Sequence, residues 1–485
     1  MKQNNDKRTG SEDVTNEGMP RYAQIMGGKY FKFGVVVVLY LLWTLWVGSW
    51  WLLLGVPVLF DMYVSKKVNW SFWKKRNAPN NRVVEWLDAL IFAVIAVTLI
   101  NIFVFQNYKI PTGSMEKSLQ IGDHLYVSKL KYGPKLPNTP LSFPFVQNIL
   151  PLTTSTKSYL EWIQWDYKRL KGFTHVKNDD NVVFNFPEGD TVLLQYPAES
   201  YYGLLRRHAE NLEEYDKSSN KEVHPFNHYL NVARQQILSE KEYTVRPVDK
   251  CDNYIKRCIG IPGDTLKIVN AQVYINGNPQ QKHENMQLRY IVQTDGAAIN
   301  NKTLERLNIY KSDVRLLGNG VFSIPLIEAN AELVRNLGNV ISVEKILKPA
   351  GQYDSEIFPH DARYQWNVDN FGPLWIPKKG VTIKLNTDNI CFYSRIITAY
   401  EHHTLNVTNG EIFINGEKTD SYTFKMDYYW MMGDNRHDSL DSRFWGFVPE
   451  DHIVGAPRVV WLALSKEKTF PFNIQFSRMF RWAGK

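Results

Sequence analysis

Two positions in this sequence have side chains suited to covalent chemistry: a serine behind a glycine, and a lysine set among apolar residues. The serine lies in Ile110-Pro111-Thr112-Gly113-Ser114-Met115-Glu116-Lys117-Ser118-Leu119. Glycine lets the backbone turn sharply, which leaves the next hydroxyl accessible. Gly-Ser pairs are ordinary in turns, so Ser114 gains meaning only with a partner. The lysine lies in Tyr254-Ile255-Lys256-Arg257-Cys258-Ile259-Gly260-Ile261-Pro262-Gly263-Asp264, a strand-like setting. A lysine titrates near about 10.4 and cannot accept a proton at neutral pH. Burial lowers that by several units, and a neutral amine beside a serine can then act as its general base. A third segment, Met432-Gly433-Asp434-Asn435-Arg436-His437-Asp438-Ser439-Leu440-Asp441-Ser442-Arg443-Phe444-Trp445-Gly446-Phe447-Val448-Pro449, is dense in short polar residues. That composition suits a polar network fixing a loop, and its Trp-Gly-Phe-Val ending points to burial.

Taken together and in this order behind an apolar N-terminal region, the three segments resemble the bacterial type I signal peptidases, leader peptidases of the Ser/Lys class. The resemblance implies Ser114 as the nucleophile that attacks the scissile carbonyl. It implies Lys256 as the base that takes the serine proton and later passes it to the leaving amine. It places Thr112 where the family usually has a serine whose hydroxyl joins the nucleophile's N–H in the oxyanion hole. Ser439 matches the residue that orients the lysine, and Asp441 and Arg443 match a supporting ion pair. His437 stands where the family's box usually has aspartate, and a conformational role is expected for it. Ile110, Pro111, Met115, Val182, Tyr254 and Ile255 resemble residues lining two shallow apolar pockets, which would give an Ala-x-Ala preference. Strands around Tyr108–Pro111 and Val182–Phe184 would pair with the extended substrate. No cofactor or metal is implied.

Three other readings compete. Ser114-Met115-Glu116-Lys117 also fits the Ser-x-x-Lys motif of penicillin-binding proteins, with Ser218-Ser219-Asn220 as a Ser-x-Asn, but no Lys-Thr-Gly follows. A catalytically inactive, membrane-bound homologue that only binds precursors would also keep the fold, although every named catalytic position here is filled. Self-cleaving repressors share the Ser/Lys chemistry but are soluble and DNA-binding. His402-His403 lacks a third spaced ligand for a metal site.

The elements that must position these residues follow from pattern. From Gly34 to Phe60 there is no charged residue, more than the about 20 residues a helical span needs. One tilted span is expected there, with a re-entrant hairpin as the alternative because the run is short for two spans. Trp86–Phe105 reads as a second membrane helix. Lys66, Lys67, Lys74, Lys75, Arg76 and Arg82 between them place the loop in the cytoplasm. The expected order is a polar tail (1–33), a first membrane segment (34–60), a basic cytoplasmic loop (61–85), a second membrane helix (86–105) and an extracytoplasmic peptidase domain (106–485). Such a chain would sit in the bacterial inner membrane with its catalytic domain on the periplasmic side.

Beyond residue 106 short β-rich runs recur: His124–Val127, Asn181–Phe186, Thr191–Tyr196, Thr265–Ile268, Val273–Ile275, Ile412–Ile414 and Val459–Leu462. Asn276-Gly277 and Asn415-Gly416 are strong hairpin signals. The expected fold class is membrane-anchored and mainly β: transmembrane helices, then a large antiparallel β-rich catalytic domain with inserted α+β segments. The insertions fall at about 197–249, helical around Leu204–Tyr215 and Tyr229–Glu240, and at about 287–388.

Composition agrees. Of 485 residues, 44% are hydrophobic and 22% charged, an ordinary globular balance. Aromatics reach 14%, which suits a chain that meets a lipid interface. The net charge of +8 comes without a long Lys/Arg cluster or a nucleic-acid motif, so membrane lipid and exported precursors are the expected partners, not nucleic acid. Phe143-Pro144-Phe145 and the tail residues Phe476, Arg478, Phe480, Arg481 and Trp482 are candidates to touch lipid. Three cysteines make no disulfide framework.

Overall fold

The computed structural model describes residues 28–70, 73, 81–153, 155–466 and 469–484. It divides into two compact units, 1–96 and 97–485. The greater part of the expected polar tail, and Lys74, Lys75 and Arg76 of the expected loop, lie outside the described residues.

In the first unit, helix α1 (Lys29–Val47) ends at Gly48, whose φ of 66° is the left-handed C-terminal stop that glycine adopts freely. The chain then doubles back through a 3₁₀ turn at Trp50–Leu54 and a helix at Gly55–Phe60. Phe33 meets Phe60 edge-on at 5.4 Å, and the Tyr40 hydroxyl donates to the Leu52 carbonyl at 2.6 Å. A side chain at Gly55 would collide with the Tyr40 ring. The run 34–60 is therefore not one continuous helix: the chain reverses after Gly48, while Lys29–Val47 keeps the length of a span. A second long helix, α2 (Arg82–Phe103), contains the boundary between the units. Both α1 and α2 are long and apolar enough to cross a membrane.

The second unit is mainly antiparallel β. Its principal sheet holds β1 (Phe105–Lys109), β2 (Asp123–Ser128), β3 (Asn181–Asn185), β4 (Asn253–Gly260), β5 (Tyr428–Met432), β6 (Val448–Pro449) and β7 (Ile453–Ala463). Their spatial order is β1-β2-β7-β3-β4-β5-β6, and the pairings are antiparallel. Every residue of β3 is buried. Its Val183 belongs to the apolar cluster of Ile110, Met115, Leu119 and Val127, and its Val182 to the cluster of Phe184, Cys258, Met431 and Trp445. The serine segment thus rests on one core, which the lysine strand joins through Ile255, while Tyr254 and Cys258 of that strand pack on the other.

The expected strands recur, including a hairpin whose register Ile275↔Asn278 turns at Asn276 (φ 53°) and Gly277 (φ 81°). Only Thr191–Leu193 of the run to Tyr196 is strand. In the 197–249 stretch, helices Tyr201–Ser218 and Phe226–Glu240 pack on a small core of their own. In the 287–388 stretch, residues 287–345 form a lobe with a four-stranded sheet, two short helices and a separate core. Residues beyond it return to the main structure: Ile357, Phe358, Phe371, Leu374 and Ile376 pack with Trp430 and Phe447. Cys251, Cys258 and Cys391 are free thiols.

Candidate active site

Ser114 sits in a single 3₁₀ turn, Gly113–Met115, that follows the extended Thr112. The apolar neighbours explain its placement: Ile110 and Met115 are buried and anchor the turn from both sides. The segment's ladder to β2 continues past β1 through Ile110 N–H to the Asp123 carbonyl at 2.8 Å. Lys256 lies in β4, opposite Val182 of β3. Its side chain is 3% exposed, and its Nζ is in hydrogen-bond contact with Ser114 Oγ. The two groups are 142 residues apart in sequence.

Burial lowers the Lys256 pKa to about 8; Arg443 pushes the same way, while Asp441 and Asp434 oppose it. The Tyr254 ring lies 5.7 Å from Nζ. A neutral amine in this position can accept the serine proton, whereas a charged one can only donate to the hydroxyl.

The third segment holds the other two together. The Asp434 carboxylate takes both Arg257 Nε and an Arg257 terminal nitrogen at 2.7 Å and accepts the Ser118 hydroxyl at 2.5 Å. Burial works to raise its pKa, but Arg257 and Ser118 hold it below the usual carboxylate range. Both ion-pair partners are buried, so stranding either charge would cost about 3–5 kcal/mol. Asn435 N–H donates to the Ser114 carbonyl at 3.1 Å, and its amide donates to the Gly113 carbonyl at 3.2 Å. A side chain at Gly433 would overlap the Ser114 carbonyl and Ser439, which is why that close approach needs glycine. Asp441 pairs with Arg443 at 2.8 Å and accepts Gly433 N–H at 3.0 Å.

Several expected positions behave differently in detail. Thr112 is exposed and makes no capping bond. The Ser439 hydroxyl is buried but has no hydrogen-bond partner, so no bond to Lys256 orients the lysine here. Ile110, Met115 and Ile255 pack in one cluster, while Val182 and Tyr254 belong to another; Pro111 is exposed. The expectation that Val182–Phe184 pairs with substrate is overturned: β3 is already paired with β7 on one side and β4 on the other. Open strand edges lie elsewhere. Among the described residues β1 pairs only with β2, and residues 253–256 of β4 pair only with β3.

The lobe of residues 287–345, which carried no motif, is tied to both walls of the site. Lys117 Nζ donates to the Leu307 carbonyl at 3.0 Å and to the Asn308 carbonyl. Tyr310 Oη donates to Gln120 at 3.3 Å. On the other wall, Gln287 N–H donates to the Asp434 carbonyl at 2.8 Å and Arg436 N–H to the Gln287 carbonyl at 3.0 Å. His437 accepts Arg289 N–H at Nδ1 (3.0 Å), leaving Nε2–H to donate to Asp369 at 2.8 Å. The histidine thus bridges the Arg289 backbone and Asp369. Glu116 is the unexpected neighbour: 3% exposed, with neither carboxylate oxygen hydrogen-bonded, and pushed up to about 7 by burial.

A serine hydroxyl against a buried lysine amine, on a polar loop that fixes both, is suited to acyl transfer through an activated hydroxyl, the chemistry of serine hydrolases. The penicillin-binding variant of that chemistry does not fit, since Lys117 reaches carbonyls of the lobe and Ser114 opens no long helix. Comparison with known proteins narrows the class. The sequence pattern of the family described as "Signal peptidase, peptidase S26" matches residues 83–322 and 394–462. A protein named Signal peptidase I from Buchnera aphidicola subsp. Acyrthosiphon pisum is 21% identical over 456 residues, covering 92% of this chain and 98% of that one. Signal peptidase I of Haemophilus influenzae is 44% identical over 66 residues, 13% of this chain and 19% of that one. For Aquifex aeolicus the figures are 59% over 34 residues, 7% and 13%. The chain belongs to the signal peptidase family, peptidase S26: it is a hydrolase that removes signal peptides from exported precursors.

Proposed function

We propose that the chain cuts precursors by a Ser/Lys mechanism in which Ser114 Oγ attacks the scissile carbonyl while Lys256 Nζ takes its proton. Lys256 then returns that proton to the leaving amine, and water repeats the cycle on the acyl-enzyme. The contact between Lys256 Nζ and Ser114 Oγ inside a buried site carries this reading. Thr112 Oγ1, with the Ser114 N–H, supplies the oxyanion donors. Asp441 and Arg443 support the site, and Ser439 packs beside the dyad. The substrate adds as a strand between the open edges of β1 and residues 253–256 of β4. Its small side chains face shallow pockets formed by Ile110, Pro111, Met115, Val182, Tyr254 and Ile255, giving the Ala-x-Ala preference.

The chain is anchored in the bacterial inner membrane, with residues 61–85 cytoplasmic and the peptidase unit on the periplasmic side. Exposed aromatics at Phe143, Phe145, Phe476 and Phe480 favour contact with lipid. The basic residues of the tail are occupied otherwise, because Arg478 and Arg481 pair with Asp123.

The deciding experiment is cleavage of a purified precursor by the wild type, Ser114→Ala and Lys256→Ala in detergent. Both variants should lose detectable cleavage while keeping the wild-type circular dichroism. Near wild-type turnover by either removes the mechanism.

A further inference from the structure

A cavity of about 670 Å³ opens beside β1 in the second unit; Ser114 does not line it, but residues 106–109 and Asn253 do, so it adjoins the open edges at which the substrate strand is proposed to add. One wall is the end of helix α2 (Val97, Thr98, Asn101 and Ile102), another is β1 itself, and the rim carries Phe143 and Phe145. Four lysines reach it (Lys109, Lys129, Lys135 and Lys250) against one carboxylate, Asp249.

That carboxylate is shared: its Oδ1 is buried without a hydrogen-bond partner, and its charge favours the protonated lysines. Its Oδ2 accepts Thr139 N–H at 3.1 Å and the Thr139 hydroxyl at 2.9 Å. The ammonium groups find only neutral partners. Lys135 Nζ donates to Asn185 Oδ1 at 3.2 Å and to the Asp451 carbonyl at 2.9 Å. Lys250, 7% exposed, holds its Nζ 5.3 Å from the centre of the Tyr159 ring. Lys129 Nζ makes no hydrogen bond or ion pair among the described residues. Cations outnumber that carboxylate, and although Asp249 opposes the shift, burial takes Lys129 down to about 7 and lowers Lys135 and Lys250. An anion entering the cavity would supply the missing charge to several lysines at once.

We propose that this cavity binds a phosphate-bearing anion, the headgroup of an anionic phospholipid, with Lys129 and Lys250 as its principal ligands. Phosphate follows from the clustered ammonium donors. Lipid follows from the walls: the last turns of an apolar helix and two phenylalanines that are 58% and 69% exposed. Acyl chains would leave past the aromatic rim while the phosphate sits among the lysines. This rests on the membrane-anchored reading above but not on the Ser/Lys mechanism.

The test uses the full-length chain in detergent, in the Ser114→Ala background, so that binding is read without catalysis. Short-chain phosphatidylglycerol, short-chain phosphatidylcholine and inorganic phosphate are titrated by calorimetry. Phosphatidylglycerol should bind at least tenfold more tightly than phosphatidylcholine. Its affinity should fall at least tenfold in Lys129→Met/Lys250→Met and recover in Lys129→Arg/Lys250→Arg, with all variants melting as the parent does. Competition by inorganic phosphate supports the phosphate chemistry. Binding of phosphate without binding of phosphatidylglycerol overturns the lipid source. Unchanged phosphatidylglycerol affinity in the double Met variant overturns the site, as does a double variant that loses only precursor affinity, which would assign the cavity to the substrate. If the double Met variant does not fold, the Lys129→Met single variant with the Arg pair decides.

Discussion

Lys256 must be neutral to act as base, and burial brings it to about 8, so at neutral pH most copies still carry the proton. Activity should therefore climb with pH, about tenfold per pH unit below 8, and level off above it; a kcat/KM profile on a peptide substrate reads this directly. A profile centred near about 6.5 would point to a histidine instead. The stability sign is also defined. The folded pKa lies below the unfolded value of about 10.4. Between the two the unfolded chain binds more protons, so this residue's contribution rises with pH across that window, by on the order of 3 kcal/mol. Thr112 offers a second test at this scale. If its hydroxyl donates to the oxyanion, Thr112→Val should lower kcat by about 10²–10³, while Thr112→Ser should stay near wild type. The Gly-Ser and lysine segments were legible because their chemistry needs particular residue types in contiguous runs. The Asp434 hub was not, because Arg257, Ser118 and Asp434 look like ordinary surface residues until folding joins them across 177 and 316 positions.

At the scale of elements, the lobe of residues 287–345 grips the turn just after Ser114 through Lys117, which itself adopts a φ of 72°, unusual for a non-glycine residue. The carbonyls it reaches, Leu307 and Asn308, follow the helix Asn301–Arg306, where carbonyls are left free to accept. Lys117→Met should loosen the serine turn and lower kcat about tenfold or more with little change in KM. A steady-state kcat/KM split on one peptide substrate measures this, and an equal fall through KM alone would assign Lys117 to binding. Strand content was well read from short β-rich runs and Asn-Gly turns. Which strands have free edges was not, since pairing partners lie far away in sequence: β3 looks like any apolar strand, yet both of its edges are used. From sequence the reversal at Gly48 is the alternative to one straight span, because an apolar run with glycines in it is compatible with a bent or a straight path.

For the whole molecule, the charge asymmetry around α2 leads to a topology with a simple check. Protease added to intact spheroplasts should digest the peptidase unit, and a tag placed in the loop 61–85 should be protected until the membrane is opened; the reverse pattern would invert the orientation. The uncharged apolar runs carried the membrane expectation, and the order of the three segments carried the family. The inserted lobe's role was invisible at this scale as well, because nothing local distinguishes a packing insertion from one wired into a site.

The order of strands in the principal sheet has a further consequence. β7, among the last elements to be synthesised, lies in the middle of the sheet, between β2 and β3, and Asp434 also comes late in the chain. A nascent chain that already contains Ser114 and Lys256 has neither the central strand that brings their platforms together nor the carboxylate that locks them. The proposed Ser/Lys pair is therefore assembled only once residues 428–463 have joined the sheet, so partial chains that stop short of them should show no cleavage of a precursor.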